Sequence, residues 1–222
     1  MASTTTSTRI LSIYKSRSTI LELLETQGFG VEEYMGFSIN EVDAMFANSQ
    51  LDMLLTHTQP MTGASSSQKK VYIKYYISAK QTVKQIRPAN LDEIIEDLYT
   101  IESILTKDDT LIIIIDDEPN DTIINKIKYL YDNRGIFIII HNIARLQYNI
   151  LNHALVPPHS TLSEVEHEQL IQSYHVKDNL SLPEISRFDP VAMAICLRPG
   201  QICKILRQSA VALTTTYYRI CI

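Results

Sequence analysis

Three consecutive acids, Asp116-Asp117-Glu118, follow the aliphatic run Leu111 to Ile115. Carboxylates gathered at the end of a buried strand can hold magnesium, a hard cation that prefers oxygen ligands and assists phosphodiester hydrolysis. The alternative is electrostatic. The same acids solvate a turn and favour the N-terminus of the helix that follows.

The histidines are the next candidates. His153 and His159 are separated by Pro157 and Pro158, so a shared helical face is unavailable, and His167 and His175 lie eight positions apart across a helix end. Neither spacing matches HExxH or a Cys/His zinc array, which leaves surface or structural histidines. The three cysteines, Cys196, Cys203 and Cys221, are odd in number and lack CxxC spacing. They point to a reducing compartment, with neither a disulfide framework nor a zinc knuckle. No GxxxxGK[ST], GxGxxG or GxSxG occurs, and six glycines leave little material for a phosphate-cradling loop. No catalytic residue, metal site or cofactor is expected.

Charge is unevenly distributed. Lys69, Lys70, Lys74, Lys80, Lys84 and Arg87 form a basic stretch without one acid, interleaved with Tyr72, Tyr75 and Tyr76. Asp92 to Asp121, directly after it, is strongly acidic. The cations can meet a phosphate backbone without reading bases. They can equally complement the acidic helix within their own domain.

These residues must be positioned by a chain of 222 residues, 45% hydrophobic and 20% charged, enough for one large domain or two modest ones. A net charge of −5 makes general affinity for nucleic acid unexpected, so any DNA contact must come from a local patch. Met1 to Thr8 is Ser/Thr-rich, lacks the marks of a signal or transit peptide, and is expected to be a flexible tail. The aliphatic runs are too short to span a bilayer, and a soluble intracellular protein without a membrane partner is expected.

Helical spacing of Ile10, Ile13, Tyr14, Ile20, Leu21 and Leu24 predicts a helix from Arg9 to Gln27, capped by Thr8 and ended by Gly28. Ser38 and Glu41 form a capping box for a shorter helix that carries Val42 and Met45 inward. Thr56 to Gln68 reads as a mobile loop, and Val71 to Ser78 alternates as a strand with one wet face. Asn90 is expected to start an amphipathic helix reaching Leu105, with Leu91, Ile94, Ile95, Leu98 and Ile101 facing the core. Leu111 to Ile115 and Ile136 to Ile140 read as buried central strands flanking a helix opened by Pro119-Asn120-Asp121. A further strand is predicted from Leu146 to Leu151. This pattern describes an α/β domain over residues 1–151, with a second domain over residues 152–222.

The second domain carries an ordered set of pieces. His153-Ala154-Leu155-Val156-Pro157-Pro158-His159 leads in, and Ser163 and Glu166 cap a helix bracketed by Leu162 and Tyr174. Phe188-Asp189-Pro190-Val191-Ala192 follows, with Asp189 as N-cap and Pro190 at the first helical position. Arg198-Pro199-Gly200 turns into a strand from Gln201 to Arg207, which can pair with a last strand from Tyr217 to Ile222. Together they resemble the small assembly domain of the shared fifth subunit of eukaryotic RNA polymerases, a family with an archaeal counterpart.

The resemblance implies a small α+β assembly domain at the C-terminus, behind an N-terminal α/β jaw domain with a restriction-endonuclease-like core. It also implies a non-catalytic architectural subunit of a DNA-directed RNA polymerase, docked on the largest subunit near a small shared subunit, with the jaw beside downstream duplex DNA. Interface candidates carried over on matching positions are His153, Val156, Pro157, His159, Asp189, Pro190, Arg198, Gly200, Lys204, Arg207, Tyr218 and Arg219. DNA-proximal candidates are Lys69, Lys70, Lys74, Lys80, Lys84, Arg87 and Pro119. Pro158 and Glu184 depart from the family pattern, where a basic residue is usual, and Ser209 to Thr216 lacks the family's acidic, Gly-Arg-containing hairpin. In the jaw, Glu118-Pro119-Asn120-Asp121 stands where the family has Thr-Pro-Ser-Ala, and its added acids would repel phosphate. Nuclear localisation is implied for a cellular protein, and a cytoplasmic viral factory and the virion for one encoded by a large DNA virus.

Two other functions are compatible with the residues. One is a magnesium-dependent nuclease on the first domain, although Ile138-Ile139-Ile140-His141-Asn142 supplies neither the further acid nor the lysine that the restriction-endonuclease pattern needs on the neighbouring strand. The other is a stand-alone transcription adaptor that recruits polymerase through the second domain.

Overall fold

The computed structural model describes residues 2–58, 68–77, 85–175 and 181–222, in two compact units, Met1–Tyr148 and Asn149–Ile222. Most of the expected loop at Thr56 to Gln68, and Ser78 at the end of the expected strand, lie outside the described residues.

The first unit contains a four-stranded mixed sheet in the order β1 (Met53–Thr56), β2 (Lys70–Tyr76), β3 (Thr110–Ile115) and β4 (Phe137–Asn142). β1 runs antiparallel to β2, whereas β2, β3 and β4 are parallel. All of β3 is buried, and so is β4 up to its last residue, which is why both read as unbroken aliphatic runs. β2 alternates, with Val71, Ile73 and Tyr75 buried and Tyr72, Lys74 and Tyr76 half-buried.

Four α-helices belong to this unit. α1 (Ala2–Glu25) begins earlier than expected, so the predicted tail is helical from Ala2 onward. Once Ile10, Ile13 and Ile20 are buried, extending a formed helix adds hydrogen bonds without a second nucleation cost. α2 (Ile39–Ala47) has the full Ser38/Glu41 capping box and buries Val42, while Met45 is half-buried. α4 (Asp121–Arg134) is capped by Asn120, whose Oδ1 accepts the Ile123 N–H at 3.0 Å, and ends at Gly135 in the left-handed conformation (φ 71°).

α3 (Pro88–Ile95) corrects two expectations. Its cap is Arg87, with Pro88 in the first turn, and Asn90 sits three residues in, accepting the Arg87 N–H. Beyond Ile95 the chain widens into a π-helical turn, Glu96–Ile101. The wider turn breaks the 3.6-residue period, so Leu98 stays buried but Ile101 is 69% exposed and does not face the core.

The predicted strand from Leu146 to Leu151 is instead two 3-10 turns, Ile143–Gln147 and Ile150–Asn152. Asn142 Oδ1 accepts the Ala144 N–H and Asn149 Oδ1 accepts the Leu151 N–H. Asparagine side chains that bond the backbone two residues ahead compete with a strand ladder, and here they prevail.

The second unit pairs a four-stranded sheet, in the order β5 (His159–Thr161), β7 (Ile202–Ser209), β8 (Leu213–Cys221) and β6 (Glu184–Ile185), with α5 (Glu164–Tyr174) and α6 (Pro190–Ala194). Its core holds Ile185, Ala192, Leu197, Cys203, Ile205 and Cys221. β7 and β8 are both longer than expected and stay paired out to Ser209↔Leu213. β5 pairs with β7 only at residues 203–205, and β6 with β8 only at 220–221. The outer half of the hairpin is therefore a two-stranded ribbon extending past the core.

Candidate functional site

The acidic strand end comes first, because it offers the only catalytic chemistry suggested by the sequence. Asp116, its side chain 6% exposed, is ion-paired with Arg9 of α1, whose Nη2 donates to Oδ2 at 3.0 Å. Glu118 accepts from Arg145 Nε at 2.9 Å and from Asn142 Nδ2 at 3.3 Å, and Asp117 Oδ1 accepts the Glu118 N–H. Guanidinium groups thus supply positive charge at Asp116 and Glu118. Among the described residues, no group of three or more His, Cys, Asp or Glu could hold a metal ion. His141, near the same end of the sheet, is buried without a hydrogen-bond partner for Nε2. Burial, helped by the Arg145 charge, pushes its pKa down to about 4. Arg9 and Arg145 had no local sequence signal, since their partners lie 107 and 27 positions away.

The described part of the basic stretch is largely occupied inside its own unit. Lys74 Nζ lies 3.2 Å from Asp52 Oδ2, the same carboxylate oxygen that accepts from the Tyr72 hydroxyl, and Asp52 Oδ1 accepts the Tyr75 N–H. Lys70 Nζ donates to the Ile104 carbonyl and Lys69 is half-buried. Arg87 is exposed and Pro119 half-buried, while Lys80 and Lys84 lie outside the described residues. The cations that pair with the following acidic segment come from elsewhere in the unit: Lys126 meets Asp92 at 2.9 Å, Arg9 meets Asp116 and Arg145 meets Glu118.

In the second unit the interface candidates divide into scaffold and surface. Asp189 Oδ1 accepts the Val191 and Ala192 N–H groups, capping α6, and Pro190 occupies the first turn. His153 Nδ1 accepts the Leu155 N–H, and His159 Nδ1 lies 2.5 Å from the Pro157 carbonyl oxygen. Val156 and Pro157 are half-buried. Arg198 donates its N–H to Gln201 Oε1, and Gly200 supplies the left-handed turn (φ 87°) between them.

The remaining candidates sit on the hairpin, on opposite faces. Lys204 and Tyr218 are cross-strand partners on one face, where Tyr174 of α5 meets the Tyr218 ring edge-on at 5.9 Å. On the other face, Arg207 and Arg219 lie over the Tyr217 ring, 5.3 and 5.7 Å from its centroid, and Arg219 Nη1 donates to the Glu184 carbonyl. Cys203 and Cys221 lie on this same face, where Tyr217 packs against the core that contains them, and burial pushes both thiols up to about 11, away from the thiolate form a nucleophile needs.

Exposed apolar side chains supplement the candidates. Leu155, Val211 and Leu213 are 86%, 97% and 85% exposed. Val211 and Leu213 occupy the segment that departs from the family pattern, where apolar residues in a Thr-rich turn were the available signal. A cationic and aromatic face, with Val211 and Leu213 exposed at the end of the same hairpin, provides the side-chain types enriched at protein interfaces.

Residues 148–221 match the family described as RNA polymerase Rpb5, C-terminal domain. The chain is similar to DNA-directed RNA polymerase subunit Rpo5 of Thermococcus kodakarensis, 39% identical over 77 residues, which is 35% of this chain and 93% of that one. The same subunit of Pyrococcus abyssi is 38% identical over 77 residues, again 35% of this chain and 93% of that one. The DNA-directed RNA polymerases I, II, and III subunit RPABC1 of Caenorhabditis elegans is 42% identical over 77 residues, 35% of this chain and 36% of that one.

Proposed function

This chain belongs to the Rpb5/Rpo5 family of RNA polymerase subunits, and from that premise we propose that it is a non-catalytic architectural subunit of a DNA-directed RNA polymerase, docked through residues 149–222. Its partners are other polymerase subunits. The observation that carries the reading is coverage, since the matched segment spans 93% of an archaeal polymerase subunit. A unit of that size suffices there as a whole subunit.

The finer assignments belong to the same proposal. The docking partner is the largest polymerase subunit, near a small shared subunit, and Arg207, Tyr217 and Arg219 support this as an interface face. The first unit acts as a jaw near downstream duplex DNA, a role supported by its α/β sheet and, more weakly, by exposed Arg87. The carboxylate–arginine pairs at Asp116 and Glu118 support a structural role for the acids there.

The test is affinity recovery of tagged full-length chain from its native source, with stoichiometry quantified. Equimolar recovery of the two largest polymerase subunits is expected, and loss of both when residues 149–222 are deleted. Trace recovery would transfer the assignment to a recruiting adaptor. Undiminished recovery of the truncated chain would remove the docking claim.

A further inference from the structure

Arg17 is a buried cation without a carboxylate partner among the described residues. It lies in the middle of α1 at 4% exposure, with Nη1 donating to the Leu51 carbonyl at 3.0 Å. Its guanidinium faces the rings of Tyr34 and Phe37, at 5.8 and 5.5 Å from their centroids, and Nε has no hydrogen-bond partner. Among the described residues no ion pair involves Arg17. Removing a guanidinium from water without a counter-charge is unfavourable, and burial accordingly lowers its pKa. The aromatic faces offset part of that cost and hold the guanidinium in a fixed orientation.

Arg17 also lines a cavity of about 70 Å³ with Tyr14, Leu21, Tyr34, Phe37 and Val42. No acid lines it. The Tyr34 hydroxyl accepts the Leu54 N–H at 3.2 Å, which leaves its own proton available for an acceptor. The rim is formed by Met35, 49% exposed, and by Gly36, where an added Cβ would meet nothing within 4 Å.

We propose that this cavity is a carboxylate-binding site that takes the side chain of an aspartate or glutamate from a partner polypeptide. Arg17 supplies the charge, and the Tyr34 hydroxyl supplies a donor. The volume lies far below the roughly 300–1,000 Å³ typical of small-molecule sites, so the cavity suits a head group rather than a whole metabolite. Its apolar wall and exposed Met35 suit the methylenes and flanking residues of a protein side chain better than a free inorganic anion. The site lies wholly within the first unit, so it and the docking role of residues 149–222 can fail independently.

The test follows the Arg17 Nε–H resonance of nitrogen-15-labelled full-length chain, assigned with Arg17→Met or, should that variant not fold, with Arg17→Lys. N-acetyl-glutamate amide is expected to shift the resonance saturably, and the neutral N-acetyl-glutamine amide to leave it in place. Tyr34→Phe is expected to weaken the glutamate effect by about 3- to 10-fold, the range for one lost hydrogen bond. Equal responses to the two compounds, or none to either, would overturn the site and leave Arg17 a structural cation satisfied by its two rings. Tighter binding of inorganic phosphate than of the glutamate compound would overturn the protein-side-chain assignment.

Discussion

Arg9 and Asp116 are 107 positions apart in sequence and 3.0 Å apart in space, joined from Nη2 to Oδ2 at the end of β3. Asp116 is the more buried partner, its side chain 6% exposed against 25% for Arg9. The pair fastens the first helix to the sheet. It also directs toward an arginine the carboxylate that a nuclease would direct toward a metal.

Asp116→Ala is therefore expected to destabilise the chain by about 1–3 kcal/mol in urea unfolding, because it takes the carboxylate away from a partly buried guanidinium. Arg9→Ala should cost a similar amount, and the double variant less than the sum of the two. Magnesium should not raise the melting temperature of the wild-type chain. A magnesium-dependent rise that disappears in Asp116→Ala would restore the metal reading.

His141 makes stability depend on pH. Its folded pKa of about 4 lies below the ordinary 6.5, so the unfolded chain binds the proton more readily. The stability associated with neutral His141 is complete above pH 6.5. It is lost as pH falls from there through about 4, by about 3 kcal/mol at most for a shift of this size. Urea midpoints measured across this range should flatten in His141→Leu, and an unchanged slope would place the titrating group elsewhere.

Asp189 is expected to act through the fold. Asp189→Ala loses acceptors for the Val191 and Ala192 N–H groups and should cost about 1 kcal/mol, up to about 2, in thermal or urea unfolding. Asp189→Asn, which caps almost as well, should restore both stability and polymerase recovery. Normal stability with lost recovery in the Asn variant would instead identify a charge contact with a partner.

Arg207 and Leu213 lie on the exposed part of the hairpin, beyond the strands that flank its base. Arg207→Glu and Leu213→Asp should each leave stability within about 0.5 kcal/mol of wild type, as is usual for surface positions. If the hairpin face docks, each should lower co-recovery of the largest polymerase subunit about tenfold or more. Wild-type recovery from both variants would move the interface away from this ribbon.

Much of the architecture was legible because its causes are local. The Ser38/Glu41 and Ser163/Glu166 capping boxes, and the Asn120 and Asp189 caps, each involve residues within three positions of one another. β3 and β4 were visible because strands buried on both faces need apolar residues throughout. The polymerase-subunit relation was carried by an ordered set of such local features in the last third of the chain. Local signals misled where two of them competed. At Asn142 and Asn149 side-chain bonding to the backbone won over strand propensity, and a π-helical turn rotated Ile101 out of the core.

The sequence by itself determined the starts of α2, α4, α5 and α6, the buried strands and the family, because each is encoded in neighbouring residue types. Only the tertiary structure decided the fate of the charges. Asp116 meets Arg9, Lys74 meets Asp52, and Arg17 meets two aromatic rings and, among the described residues, no acid. Electrostatic interactions depend on distance in space and on the water each charge has lost, and strand order and burial set both.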